Sequence, residues 1–369
     1  MSLGDLASRK QIAVVIPALN PGDQFPSYVK KLIEKGFSRI IIVDDGSRKE
    51  FDDNFSKVEH LPEVKLLRHT TNAGQGASLR TAYKAILSSP GACLGVVTAD
   101  ADGQHAIEDV VRLADSVIAS HESESGVIVG SRELHTKDIP WKSRLGNTLT
   151  SAVVKILFGV YLVDTQTGLR AFPIRLLPLL IKVKGERFEY NMNVLLTLMG
   201  SGIDIKSIPI KTIYHDSSNS VSHFRPLIDS LRIYFIIFSQ FFKFASSSIT
   251  SAAVDITLFV FFIELLFQGG SEPMGVITSV FLARCGSTLV NFAINRRLVF
   301  GSREQKRKTI RRYYALVLLI LSASALGSAI LAQVLDGRVV WAKIIVDTSL
   351  FFFSYLAQRH WVFSGKRRR

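Results

Sequence analysis

The stretch "VTADADGQH", residues 97–105, decides the fold. An apolar run stops abruptly at Asp100, Ala101 and Asp102. Two acids two residues apart are a poor end for a hydrophobic core, so the run reads as a buried strand whose tip faces something outside it. Three other runs have the same build: "IAVVIPAL" (12–19), "RIIIVDDGS" (39–47) and "GVIVGSR" (126–132). Continuous Val/Ile runs, rather than strict alternation, imply strands covered on both faces. Between them "SYVKKLIEKG" and "ASLRTAYKAIL" carry helical spacing. Strands separated by helices predict an α/β unit with a mostly parallel sheet and right-handed crossovers. Ligands bind such sheets beyond the carboxyl ends of the strands. Here Pro17 to Asn20, Asp44 to Ser47 and Asp100 to Gln104 are predicted to converge on one crevice.

Two carboxylates on a short turn, with Gln104 and His105 following, suit a hard divalent cation. Mg²⁺ keeps several waters and takes one or two carboxylates plus substrate phosphates. A metal-bound diphosphate is the natural occupant. The competing reading makes Asp102 the cap of a helix starting near Ile107, with Asp100 merely solvated. "NAGQGAS" (72–78) is a glycine-rich turn before a helix, without the full dinucleotide pattern. It reads as a close-packed turn near the nucleotide. Arg132 and Arg144 lie near the same edge, and arginine suits bidentate phosphate contact or a surface ion pair.

The chain has 369 residues and a net charge of +14, with much of the excess in the second half. Basic clusters beside apolar spans point to a cytoplasmic membrane face rather than to nucleic acid. "MSLGDLASRKQ" lacks the apolar core of a signal peptide. Cys93 and Cys285 fall in a soluble strand and a membrane span, which argues against a disulfide.

Together "VVIPALN", "IIVDDGS", "NAGQGAS", "TADADGQH", "GSR" and "DTQTGLRAF" resemble, in order, the family-two glycosyltransferases of the GT-A fold. The branch they are most similar to is the polyprenyl-phosphate sugar synthases, over about residues 10–230. The resemblance implies site roles. Pro17, Leu19, Val43, Asp44 and Asp45 would line base and ribose. Asp100, Ala101 and Asp102 would contact the nucleotide diphosphate, and Arg132 would face phosphate. Asp102 and Gln104 would hold Mg²⁺ or Mn²⁺. Asp164 and Gln166 would sit below the sugar, with Glu189 near them. Asp102, Arg144 and Gln166 are the implied catalytic set. Pro21 replaces the acid that many relatives have after the first motif. "SSNSVSHFR" (217–225) replaces a basic closing segment, so that Arg144, His223 and Arg225 are the candidates for the lipid phosphate.

The segment "FRPLIDSLRIYFIIFSQFFK" (224–243) reads as an amphipathic helix at the membrane surface. "IRLLPLLIKVKG" (174–185) is a second candidate for that surface. Four apolar stretches follow, around 244–267, 274–299, 313–335 and 339–362, each long enough to span. The expected organisation is therefore a glycosyltransferase domain at 1–223, an interfacial helix at 224–243 and a four-span domain at 244–369. "RRLVFGSREQKRKTIRR" and "GKRRR" are heavily basic, whereas "QGGSEP" and "DGR" are not. The positive-inside rule then puts both termini, the middle loop and the catalytic half in the cytoplasm, at the plasma membrane. "NFAINRRLVF" (291–300) and "SYLAQRHWVF" (354–363) repeat at a spacing of 63 residues. The four spans with this motif resemble the GtrA-like membrane family. Arg284 lies about three helical turns, roughly 16 Å, from Asn295, and Asp347 equally far from Gln358. Asp255 and Lys343 reach similar depths. The expected pairs are Arg284 with Asp255 and Lys343 with Asp347, against an alternative of Arg284 with Asp347.

The function expected is inverting transfer of a hexose from a UDP- or GDP-sugar to polyprenyl phosphate. The alternatives are a lipid-linked sugar flippase whose soluble half is regulatory, and a processive polysaccharide synthase. The intact acid pair argues against a pure transporter, and "AQRHW" in a membrane span does not make the processive signature. Membrane lipids are expected partners, and the sequence leaves room for a homo-oligomer through the spans.

Overall fold

The computed structural model describes residues 8–119, 126–132, 148, 150–156, 164–165, 167–211, 226–267, 273–302, 304–335 and 338–363; within 226–267, side chains are described at 234, 235 and 237–266. Arg144, Gln166, His223 and Arg225 lie outside the described residues. The chain forms two compact units, Met1–Ile236 and Ile237–Arg369.

The first unit is built on a seven-stranded sheet: β1 (Ile12–Ala18), β2 (Ile40–Asp44), β3 (Val64–Arg68), β4 (Gly95–Thr98), β5 (Val127–Arg132), β6 (Arg170–Pro173) and β7 (Ile205–Ile210), in the order β3-β2-β1-β4-β6-β5-β7. All neighbours are parallel except β6, which is antiparallel to β4 and β5. Strands β1, β2 and β4 are buried almost throughout, as their unbroken apolar runs require. The edges are different. Strand β3 carries Lys65 and Arg68, and β7 carries Pro209, both compatible with an edge.

Helices α1 (Phe25–Glu34), α2 (Asp52–Glu59), α3 (Gln75–Ser88), α4 (Ile107–Ala119) and α5 (Glu189–Gly200) cover the sheet. In α1 the buried Phe25, Tyr28, Val29 and Leu32 recur at helical spacing, and a proline in the first turn starts the helix without losing a hydrogen bond. Segment 174–185 is not a membrane-surface element. Leu177 and Leu180 are fully buried within this unit, which draws its apolar side chains inward.

From β1 the chain moves outward to β2 and β3, then returns to lay β4 on the other side of β1. That reversal puts the topological switch point between β1 and β4, beyond whose carboxyl ends folds of this kind bind ligands.

The second unit holds most of α6 (Pro226–Phe267), and α7 (Pro273–Ile294), α8 (Lys306–Val334) and α9 (Val339–Ala357). Helix α6 is continuous, with no break at residue 243, and its membrane-length stretch begins at Ile237. The four candidate spans are Ile237–Leu266, Pro273–Val299, Lys306–Val334 and Val339–Val362. Both copies of the repeat end alike. A π-turn follows α7 at Asn295–Val299 and another follows α9 at Gln358–Val362. The matched amides meet, Asn295 Nδ2 donating to Gln358 Oε1 at 3.0 Å, with both side chains buried. Aromatic rings of both copies pack beside them, Phe300 stacking on Phe363 at 5.2 Å. Deeper in the spans both expected ion pairs form. Arg284 reaches Asp255 at 3.2 Å, and Lys343 reaches Asp347 at 3.0 Å. Ser287 donates to Asp255 at 2.7 Å and Ser324 to Asp347 at 2.5 Å, so each acid has a hydroxyl as well as a cation. Both cysteines are free.

Candidate active site

The turn 99–105 leaves β4 beside the end of β1, tied by the Ala99 amide donating to the Val15 carbonyl at 3.0 Å. The Gln104 amide donates to Asp102 Oδ1 at 3.0 Å, and the Gln24 amide group at the head of α1 donates to the Asp102 carbonyl at 3.3 Å. The Asp100 backbone N–H donates to His105 Nδ1 at 3.2 Å. An imidazole accepting at Nδ1 is neutral, and burial pulls His105 down to about 4, which keeps it so. The Asp100 carboxylate accepts from Gln75 Nε2 at 2.9 Å, and a Cβ on Gly168 would come within 2.4 Å of its other oxygen. The glycine of "DTQTG" is therefore the one residue that lets Asp100 seat there. Asp100 keeps 32% of its side chain open, yet burial pushes it up to about 6, against the pull of Arg132, Arg170 and Gln75.

Several residues expected at the ligand do other work. Val43 has no exposed surface, so its side chain belongs to the core and not to a base-binding wall. Asp45 is 4% exposed and accepts from the Ala73 and Gly74 amides at 3.0 and 2.7 Å and from His69 Nδ1 at 2.8 Å. It braces the glycine-rich turn, where Gly74 takes a φ of +98° that a side chain would strain. Asp44 accepts from the Ser47 amide and from Arg68. Arg132 grips the fully buried Asp164 with both prongs, at 2.6 and 3.1 Å, and is not an open phosphate receptor. Glu189 accepts from the Glu186 and Arg187 amides, holding the turn that leads into α5. Pro17 and Leu19 keep partial exposure at the end of β1, and Ala101 lies 8% exposed in the acid turn.

The buried supports were not visible in the sequence. Arg170, 1% exposed, donates to the carbonyls of Thr167 at 3.0 Å, Asn191 at 2.7 Å and Thr165 at 3.3 Å, fixing the turn before β6. Asn191 in turn donates to Gln75 Oε1 at 3.0 Å.

The donor set fits a divalent cation. Among the described residues no three His, Cys, Asp or Glu side chains gather as a metal cage. Two carboxylates on one turn are what a cation sharing its shell with phosphates and water requires. The Tyr28 hydroxyl is buried and has no hydrogen-bond partner among the described residues; burial, and after it the charges of Asp100 and Asp102, raise its pKa.

A mostly parallel sheet with an acid turn at its switch point, joined to four membrane-length helices, is the build of a membrane-bound α/β protein with its ligand site at the strand ends. The comparisons make the class definite. The glycosyl transferase family 2 model matches residues 13–170, and the GtrA/DPMS transmembrane domain model matches residues 238–363. An uncharacterized protein of Methanocaldococcus jannaschii is 32% identical over 218 residues, covering 58% of this chain and 86% of that one. The UDP-N-acetylglucosamine–dolichyl-phosphate N-acetylglucosaminyltransferase of Methanococcus voltae is 31% identical over 229 residues, covering 57% and 88%. The polyprenol monophosphomannose synthase of Mycolicibacterium smegmatis is 26% identical over 208 residues, covering 53% and 75%. The chain belongs to glycosyl transferase family 2: it is a glycosyltransferase with a GT-A-like sheet and a GtrA/DPMS membrane domain.

Proposed function

We propose that the chain transfers a hexose, with inversion, from a UDP- or GDP-sugar to polyprenyl phosphate at the cytoplasmic face of the plasma membrane. The observation that carries this reading is the braced acid turn at the switch point of β1 and β4 in a chain that also carries four spans. The names of two relatives, which act on dolichyl phosphate and make a polyprenol monophosphosugar, support the acceptor class.

A lipid phosphate monoester has a second pKa of about 6, so it is mostly dianionic at neutral pH and needs no general base. The chain's task is to hold two anions in line and to stabilise the leaving diphosphate. Asp102 and Gln104 would hold Mg²⁺ or Mn²⁺, which when bound neutralises charge on the leaving group. Asp100, kept in one orientation by Gln75 and Gly168, faces the diphosphate from the turn. Pro17 and Leu19 border the nucleotide. To Arg144, His223 and Arg225 we assign the acceptor phosphate, and to Gln166 the sugar. A radiolabelled transfer assay in detergent, with several nucleotide sugars and polyprenyl phosphate, tests the reading. Radiolabelled polyprenyl phosphosugar that depends on a divalent cation supports it. Nucleotide-sugar binding without transfer to any polyprenyl phosphate overturns it in favour of a regulatory domain on a transporter.

A further inference from the structure

We infer that Gln75 and Asn191 are positioning residues for the transfer, a two-step relay that sets the orientation of the Asp100 carboxylate. The inference rests on the reading of the acid turn given above. Gln75 opens α3 directly after Gly74, and the turn before it is pinned to the end of β2 by Asp45. Its side chain reaches across the sheet end to Asp100 at 2.9 Å, while its carbonyl accepts from Asn191 on α5 at 3.0 Å. Asn191 is 8% exposed, and its backbone carbonyl is held by the buried Arg170. Elements β6, α5 and α3 thus form a chain of hydrogen bonds whose last link, Gln75, reaches one Asp100 carboxylate oxygen.

The order of donors along this relay is dictated by the acid. A carboxylate accepts only, so Gln75 must present its NH₂ to Asp100 and its carbonyl to Asn191. That carbonyl then needs a donor, and the Asn191 NH₂ supplies it. Reversing either amide would set two acceptors face to face. With Gly168 against both carboxylate oxygens and Gln75 donating to one of them, the Asp100 side chain is confined on two sides. The choice of glutamine also has a chemical reason. A lysine at this position would hold Asp100 as firmly but cancel its charge. A neutral amide orients the carboxylate and leaves the charge for the cation and diphosphate beyond it. Partners of this kind typically affect metal affinity or activity by about 10–100-fold.

The experiment uses the full chain in detergent. Four variants are compared with the parent: Gln75→Leu, Gln75→Lys, Asn191→Leu and the double Gln75→Leu/Asn191→Leu. Three quantities are read: Mn²⁺ affinity in the presence of UDP or GDP by electron paramagnetic resonance, kcat and donor KM, and melting temperature. Gln75→Leu is expected to weaken Mn²⁺–nucleotide affinity and kcat/KM by about tenfold or more, at an unchanged melting temperature. Gln75→Lys should do the same although it keeps a donor. Asn191→Leu should give a smaller loss, and the double variant should be no worse than Gln75→Leu alone, because the second residue acts through the first. Losses that multiply in the double variant, or a Gln75→Lys variant with parental metal affinity, overturn the relay. If Gln75→Leu lowers the melting temperature, Asn191→Leu decides. It leaves Gln75 in place, so weakened metal affinity in a protein of parental melting temperature supports the relay, and parental affinity overturns it. Asp102→Asn separates the two levels of the argument. If it retains parental transfer and metal affinity, the acid-turn reading itself has failed. If it loses them while Gln75→Leu does not, only the relay has.

Discussion

Asp102 and Tyr28 show how single side chains carry the site. Asp102→Asn keeps the size of the side chain and an acceptor for the Gln104 amide, and deletes only the charge. Transfer should fall by on the order of 10²-fold or more, as when a donor to a developing anion is removed. The melting temperature should hold. A near-parental rate with the cation still required would remove Asp102 from the site. Tyr28 runs the other way. Its hydroxyl is buried without a partner among the described residues, and a buried unsatisfied group costs about 1–3 kcal/mol. Tyr28→Phe should therefore raise the melting temperature or leave it unchanged. If the hydroxyl meets the ligand, affinity for Mn²⁺ with nucleotide should fall in the same variant. A lower melting temperature would mean that the hydroxyl stabilises the unliganded fold.

At the scale of elements, the Arg284–Asp255 pair joins α7 to α6, whereas Lys343 and Asp347 pair one turn apart on α9 and reach α8 through the Ser324 hydroxyl. A charge at the centre of the bilayer costs about 2.5–3.5 kcal/mol on insertion scales, so Asp255→Arg, which sets two cations together, should lower thermal stability in detergent. Adding Arg284→Asp should restore part of it. Recovery by an Arg284–Asp347 exchange instead would contradict the observed pairing. These pairs could be read from sequence because depth along a helix is linear in residue number. Strands β1, β2, β4 and β5 were legible for a similar reason, since an unbroken Val/Ile run announces burial on both faces. Strands β3, β6 and β7 were not. Val64–Arg68 and Ile205–Ile210 are half-polar edges, and Arg170–Pro173 is four residues long around a buried arginine. The site divides in the same way. Asp100 and Asp102 announce themselves locally at a strand end, whereas Gln75 and Asn191 meet across 116 residues of chain. Sequence shows that Asp45 and Arg132 are charged; it does not show that the Gly74 amide and Asp164 already satisfy them.

For the whole molecule, the proposed reaction makes a prediction about sidedness: nucleotide sugars are cytoplasmic, so on that reading the acid turn lies on the same membrane face as the basic segments. The segment 296–312 and the tail 365–369 hold dense runs of Lys and Arg, whereas the links 268–273 and 335–338 hold almost none. Moving such basic runs across the membrane is disfavoured, which predicts both on the cytoplasmic face with the first unit. The low cysteine content makes this directly measurable. With Cys93→Ser and Cys285→Ala as background, Ser302→Cys reports the loop between the second and third spans and Ser271→Cys the link between the first and second. In intact cells a membrane-impermeant maleimide should label Ser271→Cys and leave Ser302→Cys untouched. In inside-out vesicles the pattern should reverse, and transfer from added nucleotide sugar should appear only there. Labelling of both sites from one face would show that the spans do not alternate as drawn. Labelling of Ser302→Cys from outside, with transfer from external nucleotide sugar in intact cells, would invert the topology and with it the proposed side of the reaction.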